Sequence, residues 1–438
     1  MILQPCYDFL EPNKSIVLDQ TKASVANKGE SYEGEAEVRL EFIPKTGIYI
    51  HTSLPSLPSD IEVLTVGSND VPGFVVWETI PIAGKVNFVW CPRAEPIIGR
   101  GDKSTQIISV IFHLFNYRDF FGIRRSIEHI GRASHAIQHI ELNADGWNIE
   151  LKSMTTTRDT FETLKKTGGY GLTHVGCLQR ADGTSFNGKT AEDMLNALRI
   201  FFSFSNGMWC NPCLAVGFDN KESKVWEAWS SPKGQWCTPI SWFDPQHCEQ
   251  LTNLFPGFTA RWKNEDWRKA LHEVIYWYLS SNCSSLGLGI GIDAGIILTQ
   301  AAIERLSFEY AVRHKRLVEV NGFKDLRASD KFRLLFSSLD IPIDIPASLP
   351  ETQRLARQLN WVDVPQAITE VRNSLVHPEH KRRGTFDKVF FPVWSLGQWY
   401  LELALLRICD YSGTYSNRLV SRWAGEVEPV PWDDTKGK

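Results

Sequence analysis

Residues 1–154 alternate between polar and apolar side chains in short runs. From Glu35 to Phe42 every second residue is apolar and the residues between them are charged, which is typical of a strand with one buried face. More apolar runs follow, separated by Gly, Pro, Asn and Asp, and Asn143-Ala-Asp-Gly146 has the composition of a hairpin turn. The pattern predicts a β-rich, sandwich-like N-terminal domain over 1–154, a candidate sensor domain.

The pattern over residues 155–285 is mixed. Leu195, Leu198 and Phe202 have helical spacing and follow two candidate N-caps, and residues 266–279 predict a second helix. Strands are expected between these helices. Many of the Trp residues lie in this stretch, which favours a packed core over a base-stacking surface because Lys and Arg are not interleaved with them. We expect a mixed α/β region that packs with the N-terminal domain.

Residues 286–420 have apolar side chains at helical period. These stripes predict long helices around residues 296–310, 332–339 and 396–406, and a fourth around 364–376. Four such helices are expected to pack into an all-α bundle. The predicted fold is therefore α+β and multidomain, with a helical domain over 286–420 and a loose tail over 421–438.

The helix around 364–376 carries the residues of greatest chemical interest. Asp363 is a candidate N-cap, and Gln366 three residues later completes a capping-box pattern. Pro378 disfavours helical backbone at the residue before it, so the helix is expected to end at or before His377. Arg372 and Asn373 lie one turn earlier.

These residue types suit phosphodiester chemistry. The planar guanidinium of Arg372 matches a phosphate, His377 can exchange protons near neutral pH, and Asn373 can hold either the phosphate or the His tautomer. On a continuous helix Arg372 and His377 would lie roughly 140° apart, so fraying at Pro378 is needed to bring them together. A surface ion pair for Arg372 and a capping role for His377 are the alternative, which the short spacing alone favours.

Several stretches resemble the all-helical HEPN domain, in particular the ApeA-type HEPN domains of bacterial antiphage defence. The resemblance to the HEPN domain is carried by 296–306, 331–335, Arg372–His377 and 403–418. Upstream, 168–174, 180–183 and 226–229 more loosely resemble the N-terminal part of ApeA-like proteins. It implies a metal-independent ribonuclease whose Arg-x4-6-His motif works in a composite site formed by two protomers. Arg372 and His377, with four residues between them, fit that motif.

The hypothesis is therefore an endoribonuclease that cleaves RNA, with tRNA among the candidate substrates, as an effector of antiphage defence. Cleavage without a metal needs a base for the 2′-hydroxyl, an acid for the leaving 5′-oxygen and a cation for the phosphorane charge. The catalytic candidates are Arg372, His377 and Asn373. The run His380-Lys381-Arg382-Arg383 is the candidate RNA-binding segment. The alternative is a non-catalytic HEPN module for dimerisation or RNA binding, coupled to an N-terminal sensor.

Composition limits the partners. The chain of 438 residues has a net charge of −4, so RNA attraction must come from a local patch and not from a global basic field. The N-terminus has no signal-peptide pattern, and the apolar run 286–292 is too short to span a bilayer, so we expect a cytoplasmic protein without membrane contact. The expected partners are RNA, a second copy of the chain and an unidentified trigger.

No cofactor or metal is expected. Cys210 and Cys213 form a C-x2-C pair, with Cys237, His247 and Cys248 downstream as further candidate zinc ligands. The downstream residues lack the paired spacing of a zinc ribbon or finger. Buried thiols are therefore the favoured interpretation.

Overall fold

The structure is a computed structural model. It describes residues 3–27, 30–58, 61–79, 85–121, 124–130, 133–238, 240–286, 291–377, 385–421 and 423–433. The fold is α+β, with a β-rich N-terminal half and a helical C-terminal region, as predicted. The chain forms two compact units. The sheet unit comprises Met1–Arg199 and Cys210–Cys237, and the helical unit comprises Ile200–Trp209 and Thr238–Lys438.

The sheet unit begins with a closed antiparallel sheet of six described strands in the order β1-β2-β3-β6-β5-β4. The alternating pattern predicted from Glu35 on lies in β2, where Ala36, Val38 and Leu40 are buried. That strand prediction is confirmed. The strands are β1 Ile16–Asn27, β2 Glu30–Glu41, β3 Gly47–Leu54, β4 Val63–Val66, β5 Asn69–Glu78 and β6 Val86–Pro92.

A second antiparallel sheet has eight described strands in the order β10-β11-β12-β13-β9-β15-β16-β7, and two short strands, β8 and β14, pair with each other. In chain order, the elements between residues 97 and 229 are β7 Ile97–Arg100, β8 Gln106–Ile107, β9 Ser109–Phe115, β10 Arg124–Ile130, β11 Ala133–Ala144, β12 Trp147–Ser153, α1 Thr157–Thr167, β13 Leu172–Arg180, β14 Phe186–Asn187, α2 Gly188–Asn206, β15 Cys213–Phe218 and β16 Lys224–Trp229. The predicted hairpin joins β11 to β12, where Asp145 and Gly146 both have positive φ as a type I′ turn requires.

The two units divide the chain at different places from the predicted domain boundaries. Strand β13, from the predicted middle region, pairs with β12 on one side and with β9 on the other, both from the predicted N-terminal domain. The two sheets also share one hydrophobic core, in which Phe42 stacks on Tyr170. Long-range strand pairing therefore joins segments whose patterns of apolar and polar residues differ.

The helical unit is built around helix α5, Ile292–Phe308. This helix contacts α4, α7, α9 and α10, and continues into a π-helical turn at Glu309–His314. The helices are α3 Glu249–Lys263, α4 Glu265–Leu286, α5 Ile292–Phe308, α6 Val320–Asp325, α7 Ala328–Ser338, α8 Pro350–Leu359, α9 Val364–Val376 and α10 Phe390–Ile408.

The chain after α10 folds back and packs. Thr414–Tyr415 pairs with Glu428–Pro429, the Val430 side chain is buried, and Trp432 Nε1 donates to the Tyr411 carbonyl at 2.8 Å. This packing differs from the loose tail predicted over 421–438. Among the helices in the described part of the chain, none combines the length and apolar character needed to cross a membrane.

Candidate active site

The helix that carries the motif begins and ends where its sequence predicts. Asp363 has extended backbone and its Oδ1 accepts from the Gln366 amide at 3.0 Å, which is an N-cap. Gln366 Oε1 accepts in turn from the Val362 amide at 3.0 Å. Val364, Ile368 and Val371 are buried, so the predicted apolar face holds α9 against the core.

A contact that sequence reasoning missed adds an ion pair to the N-cap of this helix. Arg333 on α7 donates to both carboxylate oxygens of Asp363, at 2.5 Å from Nε and 3.0 Å from Nη2. Asp363 is 6% exposed. The two residues are 30 positions apart in the sequence and no short motif links them, so only the helix packing reveals the pair.

Arg372 lies half-buried on α9 with an unfilled hydrogen-bonding position. Its Nε is out of contact with solvent and has no hydrogen-bond partner among the described residues. Its Nη1 makes one long contact, 3.4 Å to the Asn373 Oδ1. A buried guanidinium N–H without an acceptor costs free energy, and an anionic oxygen would remove that cost.

His377 lies exposed at the C-terminal end of the same helix. Its backbone has left the helical conformation, with φ −111° and ψ 110°, while its N–H donates to the Asn373 carbonyl at 2.9 Å. The helix therefore ends at Val376, as Pro378 predicts.

Asn373 contacts both other candidate residues. Its side-chain oxygen accepts from Arg372, and its backbone oxygen accepts from the His377 amide. The three predicted catalytic residues therefore follow one another at the C-terminal end of α9, joined by a contact between neighbours and by a helical backbone bond. The predicted RNA-binding run, His380, Lys381, Arg382 and Arg383, lies outside the described residues.

The cysteine pair considered for zinc lies inside the sheet unit. Cys210 Sγ donates to the Phe115 carbonyl at 3.6 Å, and Cys213 Sγ donates to the His113 carbonyl at 3.3 Å. Burial raises the pKa of both thiols. The residues that the structure describes contain no group of three or more His, Cys, Asp or Glu side chains arranged to hold a metal ion.

Comparison with known proteins gives two domain matches and one relative. Residues 102–241 match the YopA central domain, and residues 264–429, which include Arg372 and His377, match the YopA C-terminal domain. The SPbeta prophage-derived uncharacterized protein YopA of Bacillus subtilis (strain 168) is 30% identical over 442 residues, covering 97% of this chain and 96% of the relative. No solved structure matches the chain. Neither domain match is described as HEPN or ApeA, so that resemblance stays a prediction.

Proposed function

We propose that this chain, which belongs to the YopA family, is a metal-independent endoribonuclease of HEPN type with Arg372, Asn373 and His377 as its catalytic residues. The observation that carries the proposal is the buried Nε of Arg372, which has no acceptor among the described residues. A phosphodiester oxygen of RNA would supply that acceptor. The position of an exposed His at the end of the same helix supports it further.

The proposed reaction is attack of a ribose 2′-oxygen on the adjacent phosphorus. A base takes the 2′-hydroxyl proton, the P–O5′ bond breaks, and an acid returns a proton to the leaving 5′-oxygen. The products are a 2′,3′-cyclic phosphate and a 5′-hydroxyl. Arg372 stabilises the charge on the phosphorane, His377 transfers a proton, and Asn373 orients the two.

One imidazole cannot act as base and acid at opposite ends of the same phosphate at once. The proposal therefore includes a second copy of the chain, whose own motif supplies the other proton-transfer group. Such a homodimer would have a twofold axis and would place the two α9 helices near it. The prophage origin in the relative's name fits an effector, in the cytoplasm of an infected cell, that cuts RNA when an unidentified trigger appears.

The test incubates the full chain with total RNA in EDTA, with and without lysate from phage-infected cells. Wild-type protein is expected to leave 2′,3′-cyclic phosphate ends, and Arg372→Ala and His377→Ala are each expected to cut at least about 100-fold more slowly. The matched controls are Arg354→Ala and His272→Ala, which change exposed side chains on other helices of the helical unit.

Cleavage by Arg372→Ala and His377→Ala at the wild-type rate would contradict the proposed site. Binding of RNA without cleavage under either condition would favour the non-catalytic alternative. Cleavage that requires added Mg²⁺ would contradict the metal-independent mechanism.

A further inference from the structure

The sheet unit contains a cavity of about 240 Å3 beside helix α1, and one of its walls is aromatic. Phe42 stacks on Tyr170 with their ring centroids 5.4 Å apart, and Phe115 lies 5.9 Å from Phe42. Phe9 meets Phe115 edge to face at 5.8 Å. An apolar cavity of about 150 Å3 is large enough to bind benzene, so this cavity has room for a molecule of one or two aromatic rings.

The wall formed by residues 9–12 is held in place by the hydrogen bonds of Asn13. The Asn13 backbone N–H donates to the Tyr170 carbonyl at 2.9 Å, and its Oδ1 accepts from the Tyr170 N–H at 2.7 Å. Its Nδ2 donates to the Gly168 carbonyl at 3.0 Å. Gly169 makes this contact possible, because a Cβ there would lie 1.9 Å from Asn13 Oδ1. The cavity is therefore formed before a ligand enters, which lowers the cost of binding.

Two hydroxyl groups at the cavity are accessible to a ligand. Helix α1 and its N-cap face the cavity with residues at the spacing of one helical face, which are Thr156, Asp159, Thr160 and Thr163. Thr160 and Tyr170 are 7% and 6% exposed. Neither hydroxyl hydrogen-bonds to a described residue, and neither belongs to the polar atoms that lack both a partner and solvent contact. Each hydroxyl therefore keeps a position from which it can bond to a ligand atom.

The charges at the cavity disfavour an anion. Glu11 and Asp159 are the charged side chains among the described residues that line it, so this lining contains two carboxylates and no cation. Glu11 pairs with Lys14 at 2.8 Å, which leaves Asp159 as the uncompensated charge of the lining. An anion would therefore be repelled by this carboxylate. A hydroxyl can both donate and accept, so the two hydroxyls suit an uncharged polar group.

We propose that the cavity binds a small uncharged aromatic molecule, such as a phenol or an indole. Its ring packs against Phe42 and Phe115, and its O–H or N–H donates to the Tyr170 hydroxyl. A phenol oxygen also accepts from the Thr160 hydroxyl. Leu10, which lines the cavity and is 80% exposed, loses apolar contact with water when the ring binds. This inference does not depend on the ribonuclease activity, because it concerns only residues of the sheet unit.

The test measures binding to the full chain by titration calorimetry, with 4-methylphenol and indole as uncharged probes and benzoate as an anion of similar size. At least one uncharged probe is expected to bind with a Kd of about 1 mM or below. That probe is also expected to bind at least about tenfold more tightly than benzoate, because benzoate brings a negative charge towards Asp159.

Two substitutions in the full chain locate the binding. Tyr170→Phe removes a hydroxyl that has no partner among the described residues, so the fold is kept while binding weakens about three- to tenfold. Thr163→Trp places a large side chain at the cavity from an exposed position, and should weaken binding at least about tenfold without disturbing the core. Tyr49→Phe on β3 and Thr167→Trp at the end of α1 are matched controls outside the cavity, and should bind as wild type.

Absence of binding by both uncharged probes would overturn the proposal, as would benzoate binding as tightly as the better of them. Full affinity in both Tyr170→Phe and Thr163→Trp, with wild-type secondary structure by circular dichroism, would place the bound molecule elsewhere and overturn it as well. Equal loss of affinity in Tyr49→Phe and Tyr170→Phe would show a structural effect and not a contact.

Discussion

At the scale of single residues, burial determines which groups are charged. His113 lies in the middle of β9 and is 0% exposed, with Nδ1 donating to the Leu214 carbonyl at 3.0 Å and Nε2 accepting from the Cys6 amide at 3.1 Å. Burial lowers its pKa to about 4. His174 on the adjacent strand stacks on Phe120, and burial lowers its pKa to about 3. Both imidazoles are therefore neutral in the folded protein at pH 7.

Acid is expected to destabilise the protein through these two histidines. The unfolded chain binds a proton at each histidine below pH about 6.5, whereas the folded chain binds one only below about pH 4 at His113 and about pH 3 at His174. The contribution of these histidines to stability should therefore be complete above pH 6.5 and should fall by roughly 1 kcal/mol per histidine for each pH unit from 6.5 down to about 4. His113→Gln should show a smaller loss of thermal midpoint from pH 7 to pH 5 than wild type. An equal loss in both proteins, with His272→Gln as control, would contradict this assignment.

Arg372 and His377 are not among the buried residues of α9, so their loss should affect activity and not stability. We expect Arg372→Ala, Arg372→Lys and His377→Ala to leave the thermal midpoint within about 2 °C of wild type, because His377 is exposed and the half-buried Arg372 makes only a long hydrogen bond to Asn373. Arg372→Lys should still fail to cleave RNA, since an ammonium lacks the planar fork. A large fall in the midpoint would show that these side chains are structural.

At the scale of elements, the ends of α9 are fixed by different kinds of interaction. The interactions at its C-terminal end are local, because Pro378 and the hydrogen bond from the His377 N–H to the Asn373 carbonyl lie within the same segment of the sequence. Its N-terminal end combines the local cap of Asp363 with the ion pair to Arg333 on α7. The position of the motif relative to the core therefore depends on a contact between two helices.

Loss of the Asp363 carboxylate should destabilise the helical unit. Asp363→Ala removes the N-cap and one partner of Arg333, and we expect a loss of about 1–3 kcal/mol in the free energy of unfolding, discounted because Arg333 is partly exposed. Asp330→Ala is the matched control, since Asp330 also pairs with Arg333 but is more exposed, and it should cost less than about 1 kcal/mol. Urea unfolding followed by circular dichroism measures both. Equal losses in the two variants would mean that the cap contributes nothing.

At the scale of the whole molecule, neither the overall charge nor a single copy of the motif is sufficient for the proposed activity. A net charge of −4 does not attract RNA, so attraction has to be local. The helical unit presents one Arg372 and one His377 per chain. Two chains are required if acid and base are both imidazoles.

The run Lys381-Arg382-Arg383 is the local basic segment adjacent to the motif in the sequence. Replacing all three by Ala should weaken RNA binding and reduce the slope of log affinity against log salt by up to about 2, because each phosphate contact to a single strand contributes about 0.7. Fluorescence anisotropy at several salt concentrations measures the slope. Lys324→Ala, elsewhere in the helical unit, is the control. An unchanged slope would show that Lys381, Arg382 and Arg383 make no phosphate contacts with the RNA.

Mixing two inactive variants tests the composite site. A heterodimer of Arg372→Ala and His377→Ala chains retains one Arg and one His, and partial recovery of cleavage is expected if a single phosphate needs one of each from either chain. If the site requires two Arg372 and two His377 side chains, the mixture stays inactive but still sediments as a dimer. A wild-type chain that is fully active as a strict monomer at the assay concentration would contradict the composite mechanism.

Local patterns in the sequence were sufficient for several elements. The alternation in β2, the Asp-Gly turn between β11 and β12, and both ends of α9 were predicted from neighbouring residues because the interactions that form them lie within a few positions of each other. The sequence also determined which residue types are available for phosphodiester chemistry, since Arg372, Asn373 and His377 share one helix end.

The tertiary structure decided what depends on residues far apart in the chain. The placement of β13 between β9 and β12 and the ion pair of Arg333 with Asp363 each join segments separated by tens of residues. Periodicity reports which face of an element is buried but not which element covers it. The unfilled donor of Arg372 was invisible in the sequence for the same reason, because whether a polar group finds a partner is settled only when the surrounding elements have packed.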